Sequence, residues 1–294
     1  MYSLQKINNQ EVIPIIVDEM KPYEIKGYDV IPMLYSNIFI VGMRGSGKTT
    51  SLFHIMKECI GKDTVVIVFS HTHNNDSTWI EIKKWLEQHN ITSAFYDSIM
   101  DEDKQSRIQI LLSVLKKQAA EHEAMVKAKE EQKKKNQKIT SERCRMRLTD
   151  ANNDIIEEEM EKIQKPAINA CKYMLIFDDI SSELRKGKTG DSIAELLKEH
   201  RHYKSKVIVS TQDTVDLAPG TKNQASIWLV YKGFGFERFK DHIYSFLNMR
   251  IPVEELYKIY IDVTKDQGSF LFINKINGEL RRNFNEKIIL NNYK

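Results

Sequence analysis

Residues 37–49 read Asn-Ile-Phe-Ile-Val-Gly-Met-Arg-Gly-Ser-Gly-Lys-Thr, and this stretch decides the fold. Its first five residues form a largely apolar run that predicts a buried β-strand. Gly42–Thr49, which we call the P-loop, matches the pattern G-x-x-x-x-G-K-[ST] of phosphate-cradling turns. Thr49–Cys59 then places apolar side chains at positions i, i+3, i+4 and i+7, which predicts a helix with one buried face. The stretch therefore predicts a strand, a phosphate-binding turn and a helix in succession.

The residue types of the P-loop suit a nucleoside triphosphate. Glycine lets the backbone approach the phosphates closely, and successive N–H groups at a helix N-terminus bind anions. We expect Lys48 to contact the β- and γ-phosphates and Thr49 to bind Mg²⁺ through its hydroxyl. The predicted nucleotide-binding residues are Gly42, Arg44, Gly45, Ser46, Gly47, Lys48, Thr49 and Thr50.

A second site element is the apolar strand at residues 173–177, which ends in Asp178 and Asp179. Parallel strands of one sheet align their carboxyl ends, so Asp178 is expected beside the P-loop. We predict that Asp178 holds Mg²⁺ through a water and that Asp179 orients or deprotonates the attacking water. Without the P-loop, two capping aspartates at a strand end would explain this pattern equally well.

The strand at residues 207–210 leads into a third polar position, Gln212. We predict that Gln212 points into the same crevice and hydrogen-bonds the γ-phosphate or the attacking water. Along the chain, an extra apolar run at 65–69 lies between the strand that precedes the P-loop and the strand that ends in Asp178. It indicates the class in which another strand separates those two strands in the sheet. The sequence has no N-K-x-D guanine-reading motif, so ATP with Mg²⁺ is the expected ligand.

The remaining pattern predicts an α/β fold with a predominantly parallel sheet flanked by helices. The further elements expected are strands at 65–69, 92–96 and 227–231 and helices at 191–200, 237–248 and 252–261. Ser77 and Thr78 are candidate caps of a helix that carries Trp79 and Trp85. Asn277-Gly278, between apolar runs, predicts a small C-terminal β-hairpin.

Three parts are predicted along the chain: a lead-in at 1–34, the core at 35–235, and C-terminal helices with the hairpin at 236–294. The lead-in contains a β-like run at 12–17. Inside the core, residues 104–165 form a charged helical excursion with Glu–Lys pairs at i, i+4 spacing. We predict two helices in it, joined near 136–140. The excursion is either a solvated elaboration or an arm that faces a partner or DNA.

Composition and charge restrict the class of protein. The 294 residues carry a formal net charge of +3, which excludes a strongly basic nucleic-acid binder. The 44 basic residues can still cluster into a local basic surface. The three widely spaced cysteines predict no disulfide framework. No apolar run approaches the roughly 20 residues that span a membrane, and the polar N-terminal residues lack a signal-peptide pattern. We therefore expect a soluble intracellular protein without a membrane span.

Three segments together resemble the FtsK/HerA superfamily of DNA-pumping ATPases. They are Gly42–Thr49 (GMRGSGKT), Leu175–Asp179 (LIFDD) and Arg201–Asp213 (RHYKSKVIVSTQD). The third segment is similar to the genome-packaging ATPases of large double-stranded DNA viruses and virophages, as are 69–72 and 217–220. The resemblance covers about residues 35–235. It departs at Asp179, where most of the superfamily carries glutamate, and this leaves the identity of the catalytic base open.

The resemblance implies a homo-oligomeric ring with ATP sites between subunits. It implies double-stranded DNA in the central channel, held without sequence specificity, and a capsid or portal-like vertex protein as a partner. The implied location is the host cytoplasm, a virus factory or the virion. An arginine from the neighbouring subunit would stabilise the transferring phosphoryl group. Arg201 is the candidate, with Arg185 and Arg238 as alternatives, and a basic residue near a helix end explains Arg201 equally well.

DNA contacts are predicted in the segment that follows Asp179. Arg185, Lys186 and Lys188 lie there beside Gly187 and Gly190, in what the glycines indicate is a flexible loop. An ordinary solvated loop is the alternative. The expected function is an ATP-hydrolysing DNA translocase that packages viral DNA into the capsid. Two other functions stay open: another DNA motor, such as a helicase or a segregation pump, and a non-catalytic module whose assembly ATP controls.

Overall fold

The computed structural model describes residues 21–103, 105–147, 168–180, 183 and 187–290. Its strands are β1 Ser36–Val41, β2 Val65–Ser70, β3 Ser93–Tyr96, β4 Tyr173–Asp178, β5 Ser205–Thr211, β6 Ile227–Tyr231, β7 Phe270–Asn274, β8 Glu279–Arg282 and β9 Glu286–Lys287. Its helices are α1 Lys48–Cys59, α2 Ser77–Gln88, α3 Arg107–Arg147, α4 Gly187–Glu199, α5 Pro219–Asn223, α6 Phe236–His242 and α7 Val253–Val263. Short 3-10 turns lie at Pro22–Glu24, Thr214–Asp216 and Tyr244–Phe246.

All nine strands belong to one sheet, in the order β3-β2-β4-β5-β1-β6-β7-β8-β9. The pairs from β3 to β6 are parallel, and β7, β8 and β9 extend the sheet in antiparallel fashion. The predicted α/β class is therefore confirmed. The predicted hairpin is confirmed as well: β7 and β8 pair, and Gly278 in their turn has φ 74°.

The sheet order separates β1 from β4, as the sequence predicts. The separating strand is β5, however, and β2 lies on the far side of β4. The apolar run at 65–69 is thus a strand. It lies between β1 and β4 along the chain but not in the sheet. As a consequence, the end of β5 lies between the P-loop and the end of β4.

Both faces of the sheet are buried, which explains why its parallel strands read as continuous apolar runs. In β1, Phe39 and Val41 pack in one core with residues of α3, α4, α6 and α7. Ile38 and Ile40 pack in the opposite core with residues of α1 and α2. The helices therefore fix the sheet from two sides and hold its loops at the strand ends in place.

The charged excursion differs from its prediction. α3 continues without interruption through residues 136–140, so the predicted junction there is wrong. The stretch has no glycine or proline to end a helix, which is consistent with one continuous element. Residues 148–167 and the run at 12–17 lie outside the described residues. Among the described helices, α3 included, none has the apolar length that crossing a membrane requires.

Candidate nucleotide-binding site

The P-loop joins β1 to α1, and its backbone explains two of its glycines. Gly47 is the N-cap of α1 with φ 101°, a conformation that a side chain would strain. Gly42 is crowded, because a Cβ there would lie 2.4 Å from the Cβ of Tyr231. Tyr231, at the end of β6, also donates a hydrogen bond from its hydroxyl to the Gly47 carbonyl, at 3.1 Å. The neighbouring strand therefore supports the P-loop from behind.

Lys48 lies in the P-loop with its ammonium directed at carbonyl oxygens. Its side chain is 6% exposed, and Nζ donates to the carbonyls of Gly42 at 3.0 Å and of Met43 at 3.1 Å. Burial lowers the pKa of Lys48, and the nearby Asp179 and Asp178 oppose that shift. In the described structure, no carboxylate forms an ion pair with this ammonium. The positive charge of Lys48 is therefore not neutralised by an ion pair and is available to a phosphate group.

Asp178 and Asp179 stand side by side in different environments. Asp178 ends β4, is 3% exposed, and accepts a 2.9 Å hydrogen bond at Oδ2 from the indole nitrogen of Trp79. Its burial raises the pKa of the carboxyl group. Asp179 is half-buried, has the left-handed φ of 53°, and accepts a 3.0 Å hydrogen bond from Nε2 of Gln212. The first residue suits a metal ligand, and the second can reach a water in the cleft.

Most of the predicted nucleotide-site residues line one cavity of about 500 Å³. Its lining includes Arg44, Gly45, Gly47, Lys48, Thr49, Thr50, Asp178, Asp179 and Gln212. Gly42, the first residue of the P-loop, is buried and does not line this cavity. Ser46 lines a second cavity, of about 420 Å³, on the β6 side. The structure thus places the P-loop and the ends of β4 and β5 around a common space, with Arg44 and Gly45 bordering both cavities.

The segment between β2 and α2 contributes residues that the sequence reasoning missed. Thr72, Asp76 and Thr78 line the main cavity. Asp76 is the N-cap of α2, since its Oδ1 accepts from the backbone nitrogens of Thr78 at 2.7 Å and Trp79 at 3.4 Å. The predicted caps are therefore wrong: Ser77 is the first helical residue and Thr78 is the second. An aspartate before a helix is itself a capping signal, but nothing in the sequence indicates the bond between Trp79 and Asp178.

The donor set fits a nucleoside triphosphate with Mg²⁺. Mg²⁺ prefers oxygen ligands and is usually bound by one or two carboxylates together with substrate phosphates. The Asp178 carboxylate and the Thr49 hydroxyl offer oxygen donors, and both residues line the cavity beside Lys48. The described residues contain no group of three or more His, Cys, Asp or Glu arranged to hold a metal ion. The arrangement suits a cation that arrives with phosphate.

Of the arginine candidates, the structure describes Arg201 and Arg238, and neither lines this cavity. Arg201 is exposed and precedes β5, whereas Gln212 follows it, so the seven residues of β5 put about 23 Å between the two sheet edges. Arg238, on α6, forms a 2.5 Å ion pair with Asp213. Arg201 therefore does not belong to the site of its own chain, and its role toward a neighbouring subunit stays a prediction.

The predicted DNA-contact segment is only partly described. Arg185 and Lys186 lie outside the described residues, and only the backbone of Lys188 is described. Gly187 and Gly190 belong to α4, so the expectation of a flexible loop at 187–190 is wrong. The apolar residues Ile193, Leu196 and Leu197 bury one face of this helix in the core, which outweighs the low helix propensity of the two glycines.

The topology, the P-loop and the cavity together decide the fold class. The chain has a P-loop NTPase fold. No protein-family model and no curated protein matches the sequence.

Several solved structures are similar. The genome packaging NTPase B204 from Sulfolobus turreted icosahedral virus 2, in complex with AMP, has a TM-score of 0.48 and 14% identity, covering 88% of this chain and all (100%) of that one. The DNA-packaging ATPase B204 from Sulfolobus turreted icosahedral virus has a TM-score of 0.46 and 13% identity, covering 88% of this chain and 100% of that one. EssC (ATPases 2 and 3) from Geobacillus thermodenitrificans has a TM-score of 0.46 and 10% identity, and the match covers 84% of this chain and 39% of that one. At such identities and TM-scores the likeness concerns the fold alone.

Proposed function

We propose that this protein hydrolyses ATP with Mg²⁺ and couples the reaction to moving double-stranded DNA into a viral capsid. The observation that carries the ATPase is the meeting of Lys48, Thr49, Asp178 and Gln212 around one cavity at the carboxyl edge of the parallel strands. The DNA and capsid partners, and a location in the host cytoplasm, a virus factory or the virion, rest on the sequence resemblance.

The P-loop residues would bind and orient the phosphates. Backbone N–H groups at the start of α1 point toward bound anions. Lys48 would exchange its two carbonyl partners for oxygens of the β- and γ-phosphates. Thr49 and Asp178 would hold Mg²⁺, which supplies charge neutralisation on the phosphates. Apart from Lys48, these groups already line the cavity without the nucleotide, so little further reorganisation would accompany the reaction.

Asp179 and Gln212 would act on the attacking water. Their 3.0 Å hydrogen bond places a carboxylate and an amide together at the cavity wall. The water oxygen forms a bond to the γ-phosphorus while the bond to the oxygen bridging the β- and γ-phosphorus atoms breaks, and ADP leaves with that oxygen. The proton of the water passes to Asp179. Gln212 would keep the water in line and respond to the loss of the γ-phosphate.

A route from hydrolysis to movement begins beside Gln212. The next residue, Asp213, caps the turn at 214–216 through its side chain and pairs with Arg238 on α6. A shift of Gln212 would therefore reach α6 through one ion pair. In a ring, the exposed Arg201 at the opposite edge would face the site of the neighbouring subunit and stabilise the transferring phosphoryl group.

The test is steady-state ATP hydrolysis with and without linear double-stranded DNA, for the wild type, Lys48→Ala, Arg201→Ala and a mixture of the two variants. We expect DNA to stimulate the wild type and Lys48→Ala to abolish turnover. Partial recovery in the mixture would support a site shared between subunits. A wild type that binds ATP and assembles without turnover under any DNA condition would overturn the motor in favour of a nucleotide-gated assembly module. Strand separation without docking to empty capsids would favour a helicase.

A further inference from the structure

Trp79 contacts the metal-binding end of β4 from a different part of the chain. It lies in the first turn of α2 and is fully buried, and its indole N–H donates to Oδ2 of Asp178 at 2.9 Å. The two residues are 99 positions apart. The sequence predicts only that a helix carries Trp79, and the structure adds its contact with Asp178.

The indole ring is buried and packs against an aromatic side chain. The indole ring contacts the Phe95 ring on β3 in a T-shaped arrangement, with ring centroids 6.2 Å apart and an interplanar angle of 83°. The backbone nitrogen of Trp79 donates to the capping carboxylate of Asp76, which itself lines the nucleotide cavity. A ring fixed in this way presents its N–H in one direction, so the hydrogen bond also fixes the carboxylate that accepts it.

The chemistry of the bond suits a metal ligand. An indole N–H donates and cannot accept or titrate, so it stabilises the charged carboxylate without competing for a cation. Trp79 engages Oδ2 of Asp178, so an ion in the cavity would meet this carboxylate at Oδ1, and the Ser210 side chain also stabilises the charged form of the carboxylate. Outer-shell hydrogen bonds of this kind orient carboxylate ligands and raise metal affinity.

We infer that Trp79 is a positioning residue for Mg²⁺: its indole N–H fixes the orientation in which Asp178 receives the ion that accompanies ATP. This inference rests on the proposed function, since it assigns Trp79 a role at the same site. A bond that merely satisfies a buried N–H would have no effect on the metal, and that difference can be measured.

The chain offers a matched control in Trp85. This residue also lies on α2, is half-buried, packs against Phe53 at a centroid distance of 5.7 Å, and does not line the cavity. Trp79→Phe removes the N–H and keeps an aromatic ring, and Trp85→Phe makes the same chemical change away from the site. The measurement is equilibrium binding of a non-hydrolysable ATP analogue, titrated with Mg²⁺ and repeated in EDTA.

For Trp79→Phe we expect the Mg²⁺ concentration for half-maximal effect to rise about 10- to 100-fold, the range typical of lost outer-shell bonds. Affinity for the analogue in EDTA should match that of the wild type, which shows that the P-loop is intact. Trp85→Phe should behave as the wild type in both titrations. Equal Mg²⁺ dependence in Trp79→Phe and the wild type would overturn the inference.

A second readout uses the folded Trp85→Phe protein and does not depend on Trp79→Phe being stable. The chain has three tryptophans, so this variant retains Trp79 and Trp228. Trp228 is buried in the core against Phe39 and does not line the cavity. We expect Mg²⁺ added to the analogue complex to change the tryptophan emission, and Asp178→Asn to abolish that change. No emission change would count against the inference.

The proposed ATPase activity and the role of Trp79 can be tested separately. If the wild type shows no Mg²⁺-dependent binding of the analogue, the proposed ATPase is wrong and the role of Trp79 falls with it. If the wild type shows that dependence and Trp79→Phe retains it unchanged, the ATPase stands and the inference alone is wrong.

Discussion

The two edges of the parallel sheet use polar side chains in opposite ways. At the carboxyl edge, Lys48, Asp178 and Gln212 face a shared cavity. At the amino edge, polar groups bond to their own chain: Asn37 donates to the Leu197 carbonyl at 2.7 Å, and Ser205 donates to the His200 carbonyl at 3.0 Å. The bonds at the amino edge hold the fold together, whereas the carboxyl-edge groups, although also bonded within the chain, line a cavity that a ligand can enter.

This difference follows from the topology. Each parallel strand of the core ends at the carboxyl edge and is followed by a loop, and at a strand-order change these loops diverge and leave a crevice. β1 and β4 are separated by β5, so Gln212 enters the crevice between the other two strand ends. Substitutions at the carboxyl edge should therefore affect chemistry, and substitutions at the amino edge should affect stability.

The largest effect is expected at the buried aspartate of the carboxyl edge. Asp178→Asn keeps the shape and removes the negative charge that Mg²⁺ needs, so ATP hydrolysis should fall on the order of 10²–10³-fold. Ser205→Ala, at the amino end of β5, is the control and should leave the rate unchanged. The measurement is steady-state kcat at saturating Mg²⁺. A nearly normal rate in Asp178→Asn would remove this residue from the metal site.

A second, smaller effect separates Asp179 from Asp178. Asn accepts the left-handed φ of 53° that Asp179 adopts, so Asp179→Asn should fold normally. If Asp179 is the base, kcat should fall about 10²-fold while the affinity for ATP stays near that of the wild type. The measurement pairs kcat with the Kd of a non-hydrolysable analogue. An unchanged kcat would assign the base to another group. The question arises because the aspartate side chain is shorter than the glutamate that the resemblance leads one to expect at this position.

At the amino edge, Lys206 is expected to act on stability alone. It is fully buried and donates to the Met33 carbonyl, and burial lowers its pKa below the usual 10.5. Because the folded state binds this proton less tightly than the unfolded state, the residue destabilises the fold most at pH values below its folded pKa, and the penalty fades as pH rises to about 10.5. Lys206→Met should therefore raise the free energy of unfolding by about 1–2 kcal/mol at pH 7.

Urea denaturation of both proteins from pH 7 to pH 10 checks this prediction. The wild type should gain stability relative to Lys206→Met as the pH rises, and the rate of ATP hydrolysis should be the same in the two proteins. A variant less stable than the wild type at pH 7 would show that the bond to Met33 outweighs the cost of burial.

The smallest effect concerns two buried thiols near the amino edge. Cys59 ends α1, and burial raises the pKa of its thiol to about 11; Cys171 precedes β4, and burial raises its pKa as well. Since the thiolate is the reactive form, both should be alkylated far more slowly at pH 8 in the native protein than in urea. Mass spectrometry after timed alkylation measures this. Equal native and denatured rates would contradict the closed packing of this edge.

Much of the candidate site could be predicted because its signals are local. A glycine-rich turn after a strand, two aspartates at a strand end and a glutamine at the next strand end are each read from a few adjacent residues. Parallel alignment then puts the strand ends at one edge. The rest depended on distant packing: the strand that separates β1 from β4 is β5, and 187–190, predicted as a loop, is helical because Leu196 and Leu197 of the same helix are buried in the core.

Two other features show where local signals are insufficient. Ser77, Thr78 and Asp76 are all good capping residues, so the sequence alone does not decide between them, and the backbone geometry selects Asp76. The bond from Trp79 to Asp178 joins elements from opposite sides of the long excursion. No spacing rule reaches that far, because the contact depends on the pairing of β2 with β4 in the folded sheet.

Amide hydrogen exchange with and without a non-hydrolysable ATP analogue and Mg²⁺ tests the division between the two edges most directly. The account predicts slower exchange in peptides that cover residues 42–50, 72–79 and 178–180 and the segment around Gln212. It predicts no change around 201–205 at the amino edge in the monomer. No protection at the carboxyl edge at saturating analogue, or protection confined to the amino edge, would contradict it.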